Sequence, residues 1–366
     1  MPYPGDNGSS GGRTFFGRPI VKVGLALLVG VAGAALAKPA GIPLPYLIGP
    51  LLACAIAAVA GAPVAAIPYG REFGQVTIGL AIGLRFVPTV VLATLKLLPA
   101  MVCVTLAMII ATTMAAFMLH KISGVDRKTA FFATAAAGLA EMAVVAHQKG
   151  ADSDTVAVVH LVRVTAIVTT VPFLVTIFGT QGSIDAIPVP FASDALPLVA
   201  LLVLAAGAAR LARPLRFPNS WLLIPAAIGA VVAGFGFGPF AVPHILLMAA
   251  QIVIGVWLGC RFRRELLGRL PRVTASAFAT TAFLVAAACA LAGVLSATTG
   301  LSFVISLLAV APAGVTEMVL TATAMHLDAA TVTAFQITRI AVVMTTILFV
   351  FQAFEILSRR ITGASR

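Results

Sequence analysis

The chain has 366 residues, of which 60% are hydrophobic and 10% are charged, and its mean hydropathy is +1.08. This composition excludes a soluble globular domain, because apolar runs long enough to cross a hydrocarbon core of ~30 Å recur along the chain. The formal net charge of +12 would suit a nucleic-acid-binding protein, but the basic residues lie in short connections between the apolar runs. That is the positive-inside pattern of a membrane protein, so we expect the lipid bilayer as a partner and no direct binding of nucleic acid.

Residues 1–18 are rich in Gly and Ser and are predicted to form a disordered N-terminal tail. Apolar segments follow, six in each half of the chain: 20–37, 44–60, 72–88, 94–119, 129–148 and 155–178, then 196–212, 220–236, 244–260, 273–295, 301–325 and 330–356. We expect an all-α polytopic membrane protein with a first membrane repeat at 19–180, a linker at 181–195, a second repeat at 196–357 and a C-terminal tail at 358–366.

The second half of the sequence repeats the first. The run Gly138-Leu139-Ala140-Glu141-Met142 returns as Gly314-Val315-Thr316-Glu317-Met318, an offset of 176 residues (317 − 141 = 176). The same offset relates Gln75 to Gln251, Gly79 to Gly255, Gly83 to Gly259 and Arg163 to Arg339. The chain is therefore an internal duplication, and the repeated polar residues point to a functional site as well as to a fold.

Basic residues indicate how the two repeats are oriented. If the N-terminus is cytoplasmic and all six segments of each half cross the membrane, the arginines within 210–216 and 261–272 fall outside the cell, which contradicts the positive-inside pattern. If the fifth segment of each half is broken or re-entrant, these clusters and both chain termini become cytoplasmic. We therefore predict ten full spans, two irregular fifth segments and inverted repeats.

Helix-breaking residues mark these fifth segments. The second-half segment contains Ala311-Pro312-Ala313-Gly314, in which Pro and Gly interrupt a helix and leave backbone groups that need other partners. The first-half equivalent is Ala135-Ala136-Ala137-Gly138, whose small residues allow close approach of another backbone. Gly138 and Gly314 each lie three residues before a glutamate.

Glu141 and Glu317 are the strongest candidates for a functional role. Ionisable residues inside membrane segments are costly, and they commonly mark ion or proton pathways. The alternative is a structural carboxylate that is locked to an arginine. The occurrence of the same carboxylate twice, each time beside a helix break, favours binding of a coupling proton or cation.

Arg163 and Arg339 lie within the last apolar segment of their halves, deep enough to need a partner. A guanidinium there either neutralises the glutamate or holds an anionic substrate through its planar fork of donors, and the sequence leaves both uses open.

Gln75 and Gln251 lie in segments that continue into Gly79-x-x-x-Gly83 and Gly255-x-x-x-Gly259. We interpret the glycines as helix-packing positions, and the glutamines as interhelical hydrogen-bonding groups or as part of the pathway. Asp152 and Asp328 precede Thr155 and Thr331 and are predicted to cap helices.

Residues for enzymatic chemistry do not converge in the sequence. His147 and His160 become Thr323 and Gln336 in the second half, so the histidines predict no metal centre. No phosphate-binding glycine loop, nucleophile elbow or zinc-protease motif is present in the sequence. We therefore expect neither catalytic residues, nor a metal, nor a cofactor.

At the two Gly-x-x-Glu-Met repeats, and over nearly its whole length, the sequence resembles the AbrB-type bacterial membrane proteins, which share this duplicated half. Some members carry the label ammonia monooxygenase, but ligands for copper or iron are missing here. The family name coincides with that of a soluble DNA-binding regulator, of which this sequence contains no module. The resemblance implies a location in the inner membrane and an association with gene expression, which a membrane protein can exert through the level of an inducing metabolite.

The duplicated halves and broken helices are also similar in architecture to sodium/proton antiporters and bile-acid symporters, although the paired aspartates of such transporters cannot be identified. We expect a secondary transporter of a small solute, coupled to a proton or another cation, in which Glu141, Glu317, Arg163, Arg339, Gly138, Gly314, Gln75 and Gln251 surround the substrate or ion. The alternative is a membrane sensor that changes gene expression through a partner, and a membrane enzyme ranks third. The sequence also leaves open that the protein assembles as a homo-oligomer.

Overall fold

The computed structural model describes residues 19–86, 92, 94–178, 195–215, 219–236, 241–262, 264–265 and 270–363. These residues form helices and connecting turns, and no strand occurs among them. The fold is the predicted all-α architecture of a polytopic membrane protein. The predicted tail at 1–18 and residues 181–194 of the predicted linker lie outside the described residues.

Among the residues that the structure describes, the helices of the two halves follow the same order. The first series is α1 (Pro19–Ala37), α2 (Pro45–Val59), α3 (Gly70–Gly83), α4 (Leu98–Ser123), α5 (Arg127–Thr134), α6 (Leu139–Gln148) and α7 (Ser153–Phe178). The second series is α8 (Ala195–Leu211), α9 (Ser220–Gly234), α10 (His244–Gly259), α11 (Pro271–Thr299), α12 (Phe303–Val310), α13 (Val315–Ala324) and α14 (Ala329–Gly363). A short 3-10 turn (Arg213–Leu215) follows α8, and α14 continues into the stretch predicted as the C-terminal tail.

The described helices fall into three classes of length, of which the shortest, with 8 to 10 residues, comprises α5, α6, α12 and α13. Among the described residues, five helices are long and apolar enough to cross a membrane, namely α1, α4, α7, α11 and α14. The helices α2, α3, α8, α9 and α10 have 14 to 17 residues. At 1.5 Å per residue they are about 21–26 Å long, which is shorter than a hydrocarbon core of ~30 Å.

Local sequence fixes the ends of the helices. Asp126 caps α5 by accepting a 3.0 Å hydrogen bond from the Thr129 N–H, and Ser302 caps α12 by accepting from Ile305. Gly124 and Gly300 end α4 and α11 in the left-handed conformation. The predicted caps Asp152 and Asp328 are confirmed, since each carboxylate accepts from the N–H and hydroxyl of the threonine three residues later.

The fifth segment of each half is broken, as predicted. Residues 135–138 separate α5 from α6, and residues 311–314 separate α12 from α13. The two helices of the first segment are about 12 Å and 15 Å long, so their outer ends would lie far apart in a straight arrangement. Instead, the Asp152 N–H after α6 donates a 2.9 Å hydrogen bond to Oγ1 of Thr129 in α5. The outer ends of the first segment therefore lie together, as expected for a re-entrant segment.

Glycines hold the two halves together. A Cβ atom at Gly79 or Gly83 of α3 would overlap the carbonyl oxygens of Leu222 and Ala226 in α9. In the same way, a Cβ at Gly255 or Gly259 of α10 would lie 2.5 Å from the carbonyl oxygens of Leu47 and Leu51 in α2. Each Gly-x-x-x-Gly stretch therefore lets a helix of one half touch the backbone of a helix of the other half, which confirms the packing interpretation of these glycines.

An aromatic cluster ties the first broken segment to the last helix. Phe131 and Phe132 of α5 lie 5.1 Å and 4.9 Å, centroid to centroid, from Phe354 and Phe351 of α14. Nη1 of Arg127, at the start of α5, donates to Oγ of Ser358. The start of α5 and the end of α14 thus lie at the same end of the molecule, where basic residues of both halves are found.

Candidate binding site at the two helix breaks

Glu317 lies at the start of the helix that follows the second break. Gly314 is the N-cap of α13 and Glu317 is the third residue inside the helix, where a carboxylate complements the partial positive charge of the N-terminus. The side chain is only 7% exposed. It folds back over Gly314, because a Cβ atom at that glycine would overlap Oε2 of Glu317. The predicted carboxylate is therefore buried at the break itself.

Glu141 occupies the same backbone position in the first half. Gly138, the N-cap of α6, has φ −66° and ψ 145°, and Gly314 has φ −66° and ψ 142°. Glu141 is thus also the third residue of its helix, although its side chain lies outside the part of the structure that is described.

Arg163 and Arg339 bind the carbonyl oxygens that the breaks leave without helical partners. Nη1 of Arg163 donates to the carbonyls of Thr134 and Ala135 at 2.8 and 2.9 Å. Nη1 and Nη2 of Arg339 donate to Ala311 and Ala313 at 2.7 and 2.9 Å. These carbonyls end α5 and α12, where a cation also complements the helix dipole. The hydrogen bonds described for both guanidiniums therefore go to the main chain or to His160, not to a glutamate.

A second polar residue on each of α7 and α14 binds a neighbouring carbonyl near the end of α5 or α12. His160 accepts from Nη2 of Arg163 at Nδ1 and donates from Nε2 to the Phe132 carbonyl, at 3.0 Å in both cases. Because a guanidinium only donates and a carbonyl only accepts, His160 is neutral with its proton on Nε2. Gln336, the equivalent residue, donates from Nε2 to the carbonyl of Leu308 at 2.8 Å.

The two breaks lie close together. The helices on either side of the second break, α12 and α13, both contact α7, the helix that carries Arg163. Arg163 and Arg339 are both at least 95% buried. Nε of each of these two arginines is buried without a hydrogen-bond partner. Each of these guanidiniums therefore keeps one donor that no group among the described residues satisfies.

Gln75 reaches the second break from α3. Its Nε2 donates a 3.1 Å hydrogen bond to Oγ1 of Thr316, the residue before Glu317. Gln251 is also buried, but the residue that corresponds to Thr316 is Ala140, which has no hydroxyl group. The predicted glutamine pair is therefore not used symmetrically.

Sequence reasoning missed three contributors to this region: Thr316, His160 and Gln336. His160 and Gln336 were set aside because they differ, yet both can donate from the same position, three residues before the repeated arginine. That shared chemistry was the available clue. Within the described residues, no group of three or more His, Cys, Asp or Glu side chains could hold a metal ion.

Two neighbouring helix breaks with buried charges, inside a bundle of apolar helices, define a polytopic membrane protein with a polar centre. The family described as "Transition state regulatory protein AbrB" matches residues 46–355, and the chain belongs to this AbrB family.

Two relatives match most of the chain. It is 28% identical over 345 residues to "Uncharacterized protein YhjN" of Bacillus subtilis (strain 168), which covers 87% of this chain and 89% of the relative. It is 25% identical over 329 residues to "Putative regulator AbrB" of Escherichia coli (strain K12), which covers 88% of this chain and 92% of the relative.

Proposed function

We propose that the protein is a secondary transporter of a small solute, working by alternating access across the bacterial inner membrane with both chain termini in the cytoplasm. The observation that carries the proposal is the buried Glu317 carboxylate at a helix break, close to a second break of the same construction. Broken helices whose ends meet inside the bilayer are the usual binding sites of transporters with inverted repeats.

The carboxylates and the arginines have different tasks in this proposal. Glu317 and Glu141 bind the coupling proton or cation. An ionised carboxylate is costly inside the membrane, so a bound proton or cation that neutralises it stabilises the site. Arg163 and Arg339 fix the carbonyls of α5 and α12, so that the two breaks keep their shape while the ion changes. Their Nε groups supply the remaining donors at the site.

The test is a comparison of small molecules in cells and medium for a deletion strain carrying wild type or the Glu141→Gln/Glu317→Gln double variant, at matched levels in the membrane. Gln keeps the shape of the side chain and removes its charge. We expect a solute that only wild type redistributes. Glu265→Gln, the same change at an exposed position after α10, should behave like wild type. Normal redistribution by the double variant would contradict the proposal.

A second candidate function is regulation of gene expression from the membrane. The observation that favours it is the printed name of the Escherichia coli relative, together with the description of the family. Transcript profiles of the same strains separate the two functions. If wild type and the double variant restore the same transcripts and neither redistributes a solute, the regulatory function is supported over transport. The carboxylates then have a structural role.

A further inference from the structure

Two arginines from different halves lie over one indole ring. Cζ of Arg71 is 4.8 Å, and Cζ of Arg261 is 4.9 Å, from the centroid of the Trp257 ring. Arg71 is the second residue of α3, Trp257 lies in the last turn of α10, and Arg261 follows two residues after α10 ends. The three side chains are half-buried, so the ring stabilises both cations while part of each remains accessible.

This cluster is connected to the second helix break. Arg71 and Gln75 are four residues apart on α3 and therefore lie on the same face of that helix. Gln75 binds Thr316 at 3.1 Å, and Thr316 precedes Glu317. A line of polar side chains thus runs from the arginine pair, along α3, to the residue beside the buried carboxylate.

The chemistry of this cluster favours an anion. Arg71 and Arg261 bring two guanidinium groups to the same indole ring. Guanidinium groups bind carboxylates and phosphates through paired, charge-assisted hydrogen bonds.

The fold does not require this arginine pair. At the repeat offset, Arg261 corresponds to Arg85, but Arg71 corresponds to Leu247 and Trp257 to Ala81. The repeat-related helices α3 and α10 nevertheless make the same kind of glycine contact, α3 with α9 and α10 with α2. The cluster is therefore present at one end of the α3–α10 pair only, as expected for a mouth that must discriminate between solutes.

We propose that Arg71, Trp257 and Arg261 form the mouth of the solute pathway and bind a small oxyanion, a carboxylate or phosphate compound, before it reaches the break at Glu317. This inference rests on the proposed transporter function and names its substrate class.

The experiment uses Trp257 as its own reporter. Trp221 is the other tryptophan of the chain, so Trp221→Phe leaves Trp257 as the single one. The full-length variant is placed in nanodiscs of phosphatidylcholine, and sodium succinate or sodium phosphate is titrated at constant ionic strength with sodium chloride as the balance. We expect a saturable change in Trp257 fluorescence, and an apparent affinity weakened by about tenfold or more in Arg71→Gln and in Arg261→Gln. Arg85→Gln is the matched control and should bind like the parent.

Two results would overturn this assignment. One is that neither anion produces a saturable change in Trp257 fluorescence, or that Arg71→Gln and Arg261→Gln bind with the same apparent affinity as the parent. The other is a change that requires phosphatidylglycerol in the nanodisc and is not competed by succinate, which would identify a lipid headgroup site. Redistribution of solutes in the cell comparison without anion binding would remove this inference alone. Anion binding without redistribution would keep the anion site but remove the transporter, and with it the role of the cluster as the mouth of a solute pathway.

Discussion

Arg163 and Arg339 donate hydrogen bonds to carbonyl oxygens that lie 25 or more residues earlier in the chain. Each guanidinium bridges two successive or near-successive carbonyls, so its planar shape matters as much as its charge. The polar groups of a broken helix must be satisfied inside the protein, because the bilayer core offers no water. These arginines therefore stabilise the breaks that the proposed binding site needs.

Arg339→Lys should destabilise the protein although it keeps the charge. A single ammonium group on a flexible stem cannot reproduce the fork that joins Ala311 and Ala313. We expect a loss of about 1–3 kcal/mol in the free energy of unfolding, as for an unpaired buried acceptor. Unfolding in mixed micelles with increasing denaturing detergent measures it, with Arg264→Lys at an exposed position as the control. Equal stability of the two variants would show that the fork is dispensable.

His160 and Gln336 are predicted to be interchangeable as donors. His160→Gln should keep the stability of wild type, because Gln336 makes the same kind of bond at the equivalent position. His160→Leu should lose about 1–3 kcal/mol, since the Phe132 carbonyl and Arg163 each lose a partner. The same unfolding measurement decides it. A His160→Gln protein as unstable as His160→Leu would contradict the equivalence.

At this scale the sequence predicts which residues are unusual, but not what they touch. The repeat selected Glu317 and Arg339 correctly as buried charges, since polar groups inside apolar runs are costly. It suggested that they pair with each other or hold an anion. In the structure Arg339 donates to the main chain, because the break at Pro312 leaves carbonyl oxygens within its reach. The sequence alone does not show that these carbonyls lie next to Arg339.

The broken segments are the elements that could be predicted best, and for different reasons in the two halves. Pro312 and Gly314 directly indicate a break in the second half. The first half has no proline there, and its break could be predicted only through the repeat. The short helices α2, α3, α9 and α10 could not be distinguished from full spans, because their apolar runs continue into the turns that end them.

Helix contacts through glycine give a prediction for α3. Gly83→Ala should destabilise the protein by about 1–3 kcal/mol, because the added methyl group overlaps the Ala226 carbonyl and pushes α3 away from α9. Gly293→Ala is the matched control in α11, where a Cβ atom meets open space. It should be neutral, or stabilising by about 0.4–1 kcal/mol. Thermal unfolding in detergent measures both, and similar losses would refute the packing argument.

Across the whole molecule, basic residues collect where the first broken segment begins and where the last helix ends. Arg127 and Ser358 are joined there by a hydrogen bond, and Val273 packs in the same cluster of buried residues as Phe131 and Phe354. This arrangement agrees with the positive-inside pattern. The opposite orientation of the two halves remains a prediction, as do the proposed domain boundaries.

Labelling from one side of the membrane tests that orientation. Lys121 and Ala297 are exposed, equivalent residues (297 − 121 = 176) at the ends of α4 and α11. In a background with Cys54, Cys103, Cys260 and Cys289 replaced by Ser, we expect a membrane-impermeant maleimide to modify Ala297→Cys in intact cells. Lys121→Cys should react only after the cells are opened, because its connection carries the basic residues kept in the cytoplasm. Labelling of both from the same side would exclude inverted halves.

The glycine contacts between α3 and α9 and between α10 and α2 also constrain biosynthesis. A ribosome delivers the first half before the second exists. During that interval the glycine face of α3, and the face of α2 that receives the glycines of α10, have no partner helix. The first half must therefore stay in the bilayer without these helix contacts, and they form only after the second half has been inserted. Split into two genes, neither product would mature without the other.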